Sequence, residues 1–215
     1  MNKLRQNTEK VHQQLEADVK SGDPKAMRML GAELNAARKS LGMPPLPVFD
    51  FWIGSDFKNS TNGVLILGES TYGVTPPLFE YVPSWCQGLL PYSDRTFSRI
   101  FNAFSGANTS SASISQRESF WATIAFTNFV QQPVGPTNQH KATDNDFRIA
   151  KKYLPDYLDL ISPRGVLILG IGQAVFSAPV INNKGIPHII CPHPTGRGIK
   201  TATLNAAWTA LQSIL

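Results

Sequence analysis

The sequence predicts an α/β protein, a three-layer sandwich in which helices cover a central, mainly parallel sheet of four strands. Short apolar runs recur along the chain, and segments with helical periodicity lie between them. The runs are continuously apolar rather than alternating, which is typical of strands buried on both faces of a parallel sheet. Strands that alternate with helices indicate the α/β class.

The strands are predicted from continuous apolar runs and the helices from a helical repeat of apolar residues. The strands are predicted at Val64–Leu67, Trp121–Phe126, Val166–Leu169 and, more weakly, Ile186–Cys191. Apolar residues recur every three or four positions in the three predicted helices, which are Arg95–Phe104, Asp144–Leu160 and Thr203–Ile214. Residues 105–116 are rich in Ser, Ala and Asn and are predicted to form a mobile loop.

Residues 1–45 are predicted to form a helical appendage, separate from an α/β domain at residues 46–215. Leu4, Val11, Leu15 and Val19 share one face of a first helix. After Ser21-Gly22, Asp23 is a suitable N-cap and Pro24 a suitable first residue for a second helix. The proline-rich run Met43–Pro47 ends that helix.

Composition excludes several classes of protein. With 42% hydrophobic and 16% charged residues, the 215-residue chain has the composition of a globular protein. No apolar stretch approaches the roughly 20 residues of a membrane span, and no apolar segment follows the N-terminal charges, so we expect a cytoplasmic protein without a membrane partner. Two cysteines and four histidines show no metal-ligand spacing, so neither a metal nor a cofactor is predicted. The net charge of +5 mildly favours a polyanionic partner.

Polar residues or glycines follow each of the four predicted strands. They are Gly68-Glu69-Ser70-Thr71-Tyr72-Gly73, Thr127-Asn128-Phe129, Gly170-Ile171-Gly172 and His193-Pro194-Thr195-Gly196-Arg197-Gly198. In open α/β sheets, ligands bind beyond the carboxyl ends of the strands. We therefore expect a pocket at this edge that holds a carboxylate, a hydroxyl, a phenol, a carboxamide and an imidazole.

Three of these motifs, in this order, resemble those of the uracil-DNA glycosylase superfamily. The resemblance covers roughly residues 60–215 and concerns branches that carry a Gly-Glu-Ser loop and no iron–sulfur cluster. It rests on the loop Gly68–Gly73, on Asn128 after the next strand, and on His193–Gly198 near the C-terminus. It implies a glycosylase fold and a DNA glycosylase that flips uracil or another damaged or modified base out of single- or double-stranded DNA and hydrolyses its N-glycosidic bond.

The resemblance also implies roles for individual residues in the base pocket. Asn128 would read the edge of the base through its carboxamide, and His193 would donate to the O2 atom of the departing base. Gly68 and Tyr72 would line the pocket, with Tyr72 excluding the methyl group of thymine. Stacking on the base is expected from one aromatic residue among Phe79, Tyr81 and Phe129.

The water-activating and DNA-contacting residues complete the predicted site. Thr195, Gly196 and Arg197 are expected to contact DNA, with Arg197 filling the gap that the flipped base leaves. Glu69 and Ser70 are the catalytic candidates for orienting the attacking water. Ser70 stands where a related branch has an acidic residue. Glu69 is the only carboxylate in this loop and is therefore the candidate to replace it.

Two other functions fit the same residues. A protein of this fold can bind nucleic acid or a nucleotide without cleaving it. Gly68-Glu69-Ser70 also resembles the Gly-Asp-Ser loop of SGNH-type esterases, with Ser70 as nucleophile. Residues 188–192, directly before His193, contain no Asp or Glu, and a GxSxG nucleophile motif is absent around Ser70, which argues against an esterase.

Overall fold

Five strands and six helices make up the part of the chain that the computed structural model describes, which is residues 51–71, 78–90, 95–131, 133–135 and 140–215. The strands are β1 (Phe51–Ile53), β2 (Val64–Gly68), β3 (Ala125–Asn128), β4 (Gly165–Leu169) and β5 (His188–Cys191). The helices are α1 (Leu78–Cys86), α2 (Arg95–Phe104), α3 (Ile114–Ala122), α4 (Asp144–Ile161), α5 (Ile171–Asn183) and α6 (Thr201–Gln212). The helical appendage predicted at residues 1–45 lies outside the described residues, as do Tyr72 and Gly73.

The strands form one sheet in the order β1-β3-β2-β4-β5. Strands β3, β2, β4 and β5 are parallel, and β1 pairs antiparallel with β3 at the edge. The predicted α/β class and mainly parallel sheet are therefore confirmed. The predicted strand number of four is wrong, because the three residues of β1 are too few to produce a recognisable pattern.

Helices pack against the sheet to give an arrangement consistent with three layers. Alternate residues of β2, Val64 and Ile66, belong to the core cluster that includes residues of α1, α2, α3 and α6. Helices α4 and α5 pack together, with the rings of Phe147 and Phe176 5.4 Å apart. All five residues of both β2 and β4 are buried, which explains their continuous apolar character.

Helix α3 is the main local departure from the sequence prediction. The Ser113 side chain accepts from the backbone of Gln116, whose side chain accepts from the backbone of Ser113. This capping box starts a helix inside the segment predicted as a loop. Residues 121 and 122 consequently end α3, and the strand predicted from Trp121 begins only at Ala125.

The other predicted helices agree closely with the structure. Helix α2 has the predicted bounds, α4 extends one residue further, and α6 begins two residues earlier than predicted. Helices α1 and α5 were not predicted. None of the helices in the described ranges has the length and apolar character needed to cross a bilayer.

Candidate functional site

The four parallel strands end at one edge of the sheet, in the spatial order β3, β2, β4, β5. Gly68 at the end of β2 lies opposite Asn128 of β3, and Leu169 of β4 lies opposite Cys191 of β5. With about 4.8 Å between neighbouring strands, the outer two of these four strand ends lie about 14 Å apart. The motif at the end of β3 and the motif after β5 therefore lie on either side of the ends of β2 and β4.

Asn128 lies across the backbone of Gly68. A Cβ atom on residue 68 would overlap the Oδ1 atom of Asn128 and would lie 3.1 Å from Cζ of Phe126. Asn128 itself is only 9% exposed. Glycine is therefore required at position 68 because the carboxamide occupies the space that a side chain would need.

Backbone hydrogen bonds hold the two segments that follow β2 and β3 together. The amide of Phe129 donates to the carbonyl of Gly68 at 2.8 Å, and the amide of Val130 donates to that of Glu69 at 2.9 Å. Further along, the amide of Val134 donates to the carbonyl of Thr71 at 3.0 Å. These bonds continue the β2–β3 ladder beyond the strands, so the backbone that carries Glu69 and Asn128 is fixed.

The carboxylate of Glu69 lies at the end of β4. Its Oε2 atom is 3.2 Å from the position that a Cβ atom on Gly170 would take. Gly170 has φ +120° and is the N-cap of α5, where no side chain caps the helix. Burial raises the pKa of the Glu69 carboxyl above its ordinary value of 4.5, and the nearby Lys141 ammonium opposes this. The side chain of Glu69 therefore lies over the centre of the strand edge.

Two residues near Glu69, Gln173 and Ser70, carry buried polar atoms. Gln173 is fully buried, and its Nε2 atom donates to the carbonyls of Leu67 at 3.0 Å and Leu169 at 2.6 Å. It thereby joins the ends of β2 and β4. Its Oε1 atom and the Oγ atom of Ser70 are buried without a hydrogen-bond partner among the described residues. Sequence reasoning missed Gln173, although a glutamine among apolar helix residues was a signal for it.

Thr195, two positions after His193, makes two contacts with the Nδ1 atom of the imidazole. The backbone amide of Thr195 donates to Nδ1 of His193 at 3.3 Å, and Oγ1 of Thr195 is 2.9 Å from the same nitrogen. A backbone N–H can only donate, so Nδ1 accepts. We infer that the proton of the neutral imidazole is on Nε2.

Thr195, Gly196 and Arg197 form an exposed turn after His193. The amide of Gly196 donates to the carbonyl of His193 at 2.8 Å, and both Thr195 and Arg197 are exposed. Arg99 of α2 donates to the carbonyls of Pro194 and Ile199 at the two ends of this turn. Sequence reasoning also missed Arg99, because its partners lie 95 and 100 residues away along the chain.

The aromatic candidates differ in their surroundings. Tyr81 lies on α1 with its ring 5.1 Å from that of Phe97, half-buried against the core. Phe79 lies on the same helix. Phe129 is fully buried and its ring stacks 6.0 Å from that of Phe147, and its role in stacking on the base stays a prediction.

Lys141 is a further residue that the sequence did not single out. It acts electrostatically on Glu69, and thus adds a positive charge near the centre of the site.

Within the described part of the chain, no three His, Cys, Asp or Glu side chains come together as a metal site.

Comparison with known proteins leaves the family open. No protein-family model matches this chain, and no curated protein has significant sequence similarity to it. The geometry of the strand edge is accordingly the basis for any functional assignment.

Proposed function

We propose that this protein is a DNA glycosylase of the uracil-DNA glycosylase superfamily, which flips uracil or another damaged or modified base into the site and hydrolyses its N-glycosidic bond. One observation carries the proposal. Asn128 ends one outer strand of the four parallel strands, His193 follows the other, and Glu69 lies over the ends of the central two.

Asn128 recognises the base in this proposal. Its carboxamide offers one acceptor and two donors, which match the alternating O4 and N3–H groups of uracil. The absence of a side chain on Gly68 supports this role, because it leaves room for the Oδ1 atom of Asn128 against the backbone at the strand edge. A fixed polar group discriminates between bases better than a mobile one.

His193 stabilises the departing base. Cleavage of the glycosidic bond builds negative charge on the base, and a donor held near its O2 atom lowers the barrier. The proton of His193 is inferred to be on Nε2, because the Thr195 amide occupies Nδ1. The imidazole thus donates without first becoming charged.

Glu69 orients and deprotonates the attacking water. The position of its carboxylate beside Gly170 supports this role, because the group faces the strand edge where a base would lie. A carboxyl whose pKa is raised by burial is a better proton acceptor than an exposed one. Ser70 contributes at most an orienting hydroxyl, since its Oγ atom is buried.

The esterase alternative has less support. A serine nucleophile needs a base within hydrogen-bonding distance, usually a histidine. In the described part of the chain, Ser70 Oγ has no hydrogen-bond partner.

DNA remains the proposed partner, with Thr195, Gly196 and Arg197 as the contacting turn.

A cleavage assay tests the proposal. Labelled single- and double-stranded oligonucleotides that contain uracil, hypoxanthine, xanthine or other modified bases are incubated with the full chain and then treated with alkali. We expect alkali-labile sites on at least one substrate and their loss in Asn128→Ala and His193→Ala. Binding without abasic product on every substrate would instead support a non-catalytic binding protein.

A further inference from the structure

Arg99 connects helix α2 to the loop that carries His193. Its Nη1 atom donates to the carbonyl of Pro194 and, at 3.3 Å, to that of Ile199. Pro194 directly follows His193, and Ile199 stands two residues before α6. One guanidinium group therefore holds both ends of the exposed turn.

The peptide group between Pro194 and Thr195 links Arg99 to the imidazole. This peptide is trans and planar, so its carbonyl and its N–H point in opposite directions. The carbonyl accepts from Arg99, and the N–H donates to Nδ1 of His193 at 3.3 Å. A rotation of this plane that breaks one hydrogen bond also breaks the other.

Arg99 reaches this peptide from another element, helix α2. Thr195 and Arg197 are exposed, and Gly198 adopts φ +77°. The turn bond from the Gly196 amide to the His193 carbonyl closes a turn in which Pro194–Thr195 is the central peptide, and the bond from Arg99 adds a second restraint on that peptide. The hydrogen bonds of Arg99 to these two carbonyls both come from its Nη1 atom, and no salt bridge joins Arg99 to an acidic side chain among the described residues.

We propose that Arg99 is a positioning residue that sets the tautomer of His193 through the Pro194–Thr195 peptide. By holding the Pro194 carbonyl, it keeps the Thr195 amide on Nδ1 and the imidazole proton on Nε2. The catalytic value of this arrangement rests on the proposed function, whereas the effect on the tautomer does not.

Nitrogen NMR of the histidine rings tests the proposal on the full chain. The protein is labelled with ¹⁵N-histidine, and long-range ¹H–¹⁵N spectra are recorded where the rings are neutral. His193→Gln identifies the His193 signals among those of the four histidines. In the wild type we expect Nδ1 to resonate as an unprotonated nitrogen and Nε2 as a protonated one. In Arg99→Met we expect the two shifts to move toward each other, as for a mixture of tautomers, and Arg99→Lys to restore part of the difference.

Arg164→Met is the matched control. Arg164 also donates to the backbone, to the carbonyl of Thr61 and, at 3.5 Å, to an oxygen of Leu215, but it precedes β4 and so lies at the opposite edge of the sheet. Its loss should leave the His193 shifts unchanged.

Three outcomes would overturn the proposal. The first is a wild-type His193 with the proton on Nδ1. The second is an Arg99→Met protein whose His193 shifts equal those of the wild type. The third is an Arg164→Met protein whose His193 shifts change as much as those of Arg99→Met, which would indicate a general loss of rigidity. If Arg99→Met does not fold, Arg99→Gln is judged by the same criteria, because its shorter side chain cannot reach both carbonyls. The NMR result stands whether or not the cleavage assay finds a substrate, so the two proposals fail independently.

Discussion

The two sides of the candidate site are held in different ways. The Asn128 side is an extension of the sheet, in which backbone hydrogen bonds from Phe129 and Val130 tie the segments after β2 and β3 together. The His193 side is an exposed turn held from outside by the side chain of Arg99. The first is held by backbone bonds between neighbouring strands, whereas the second also depends on a side chain from a distant part of the sequence.

Under the proposed function, this difference corresponds to a division of labour between reading the base and contacting DNA. A carboxamide that reads a base must keep one orientation, and the sheet provides it. A loop that meets DNA gains from exposed groups, and Arg197 and Thr195 provide them. We therefore expect substitutions on the Asn128 side to abolish recognition of the base, and substitutions on the His193 side to change DNA binding and the tautomer.

The largest expected effect is on the Asn128 side. Gly68→Ala places a methyl group on the Oδ1 atom of Asn128 and displaces the carboxamide. We expect it to lower the single-turnover rate of base excision about 10²–10³-fold, the usual effect of losing one positioned polar group in an active site. Asn128→Ala should lower the rate by a similar factor.

A double substitution tests whether both changes act through the carboxamide of Asn128. If both substitutions act through the carboxamide, Gly68→Ala combined with Asn128→Ala should be no worse than Asn128→Ala alone. A Gly68→Ala protein of normal activity would contradict the idea that the backbone fixes Asn128.

The second prediction concerns the glycine under the Glu69 carboxylate. Gly170 has φ +120°, a conformation that L residues rarely adopt, and a Cβ atom there would lie 3.2 Å from Oε2 of Glu69. We expect Gly170→Ala to lower the free energy of unfolding by about 1–3 kcal/mol, measured by urea denaturation.

Gly172 is the matched control for Gly170. It lies two residues further along, on α5, and an added Cβ atom would meet no atom within 4 Å. Gly172→Ala should raise the free energy of unfolding by up to about 1 kcal/mol, since alanine favours the helix. Equal losses in both variants would exclude a special strain at position 170.

Much of the fold could be predicted from the sequence, for a physical reason. The buried parallel strands need continuous apolar runs, and Val64–Leu67 and Val166–Leu169 are such runs. Helix α2 needs one apolar face, and its bounds were predicted correctly. Strand β1 and helix α5 lacked such a pattern, because β1 has three residues and α5 is apolar on most of its faces.

The candidate site was predictable only in part. The motifs after the strands are local in sequence, and parallel pairing brings their strand ends to one edge. The direction of the Glu69 side chain was not predictable, because it depends on the open space over Gly170. The contact between Arg99 and the His193 loop joins residues about 95 positions apart, and no local pattern encodes it.

A smaller effect is expected for the exposed arginine on the His193 side. Arg197→Ala should weaken duplex binding about equally for different sequences. It should also reduce the slope of log K against log salt by about 1, as expected for the loss of one phosphate contact. Fluorescence anisotropy at several salt concentrations measures both quantities. Lys184→Ala removes the same charge beyond the C-terminal end of α5 and should leave the slope unchanged.

The smallest expected effect is the pH dependence that Glu69 adds to stability. Burial raises the pKa of its carboxyl above 4.5, so the folded state binds more protons than the unfolded state between 4.5 and the raised value. The free energy of unfolding should therefore fall as pH rises through this interval. Glu69→Gln should lack this fall and gain stability over the wild type toward neutral pH. Lys141→Met removes the charge that lowers the pKa of Glu69, so at low salt the free energy of unfolding should fall further as pH rises. Parallel curves for wild type and Glu69→Gln would mean that the carboxylate is solvated and does not lie over Gly170.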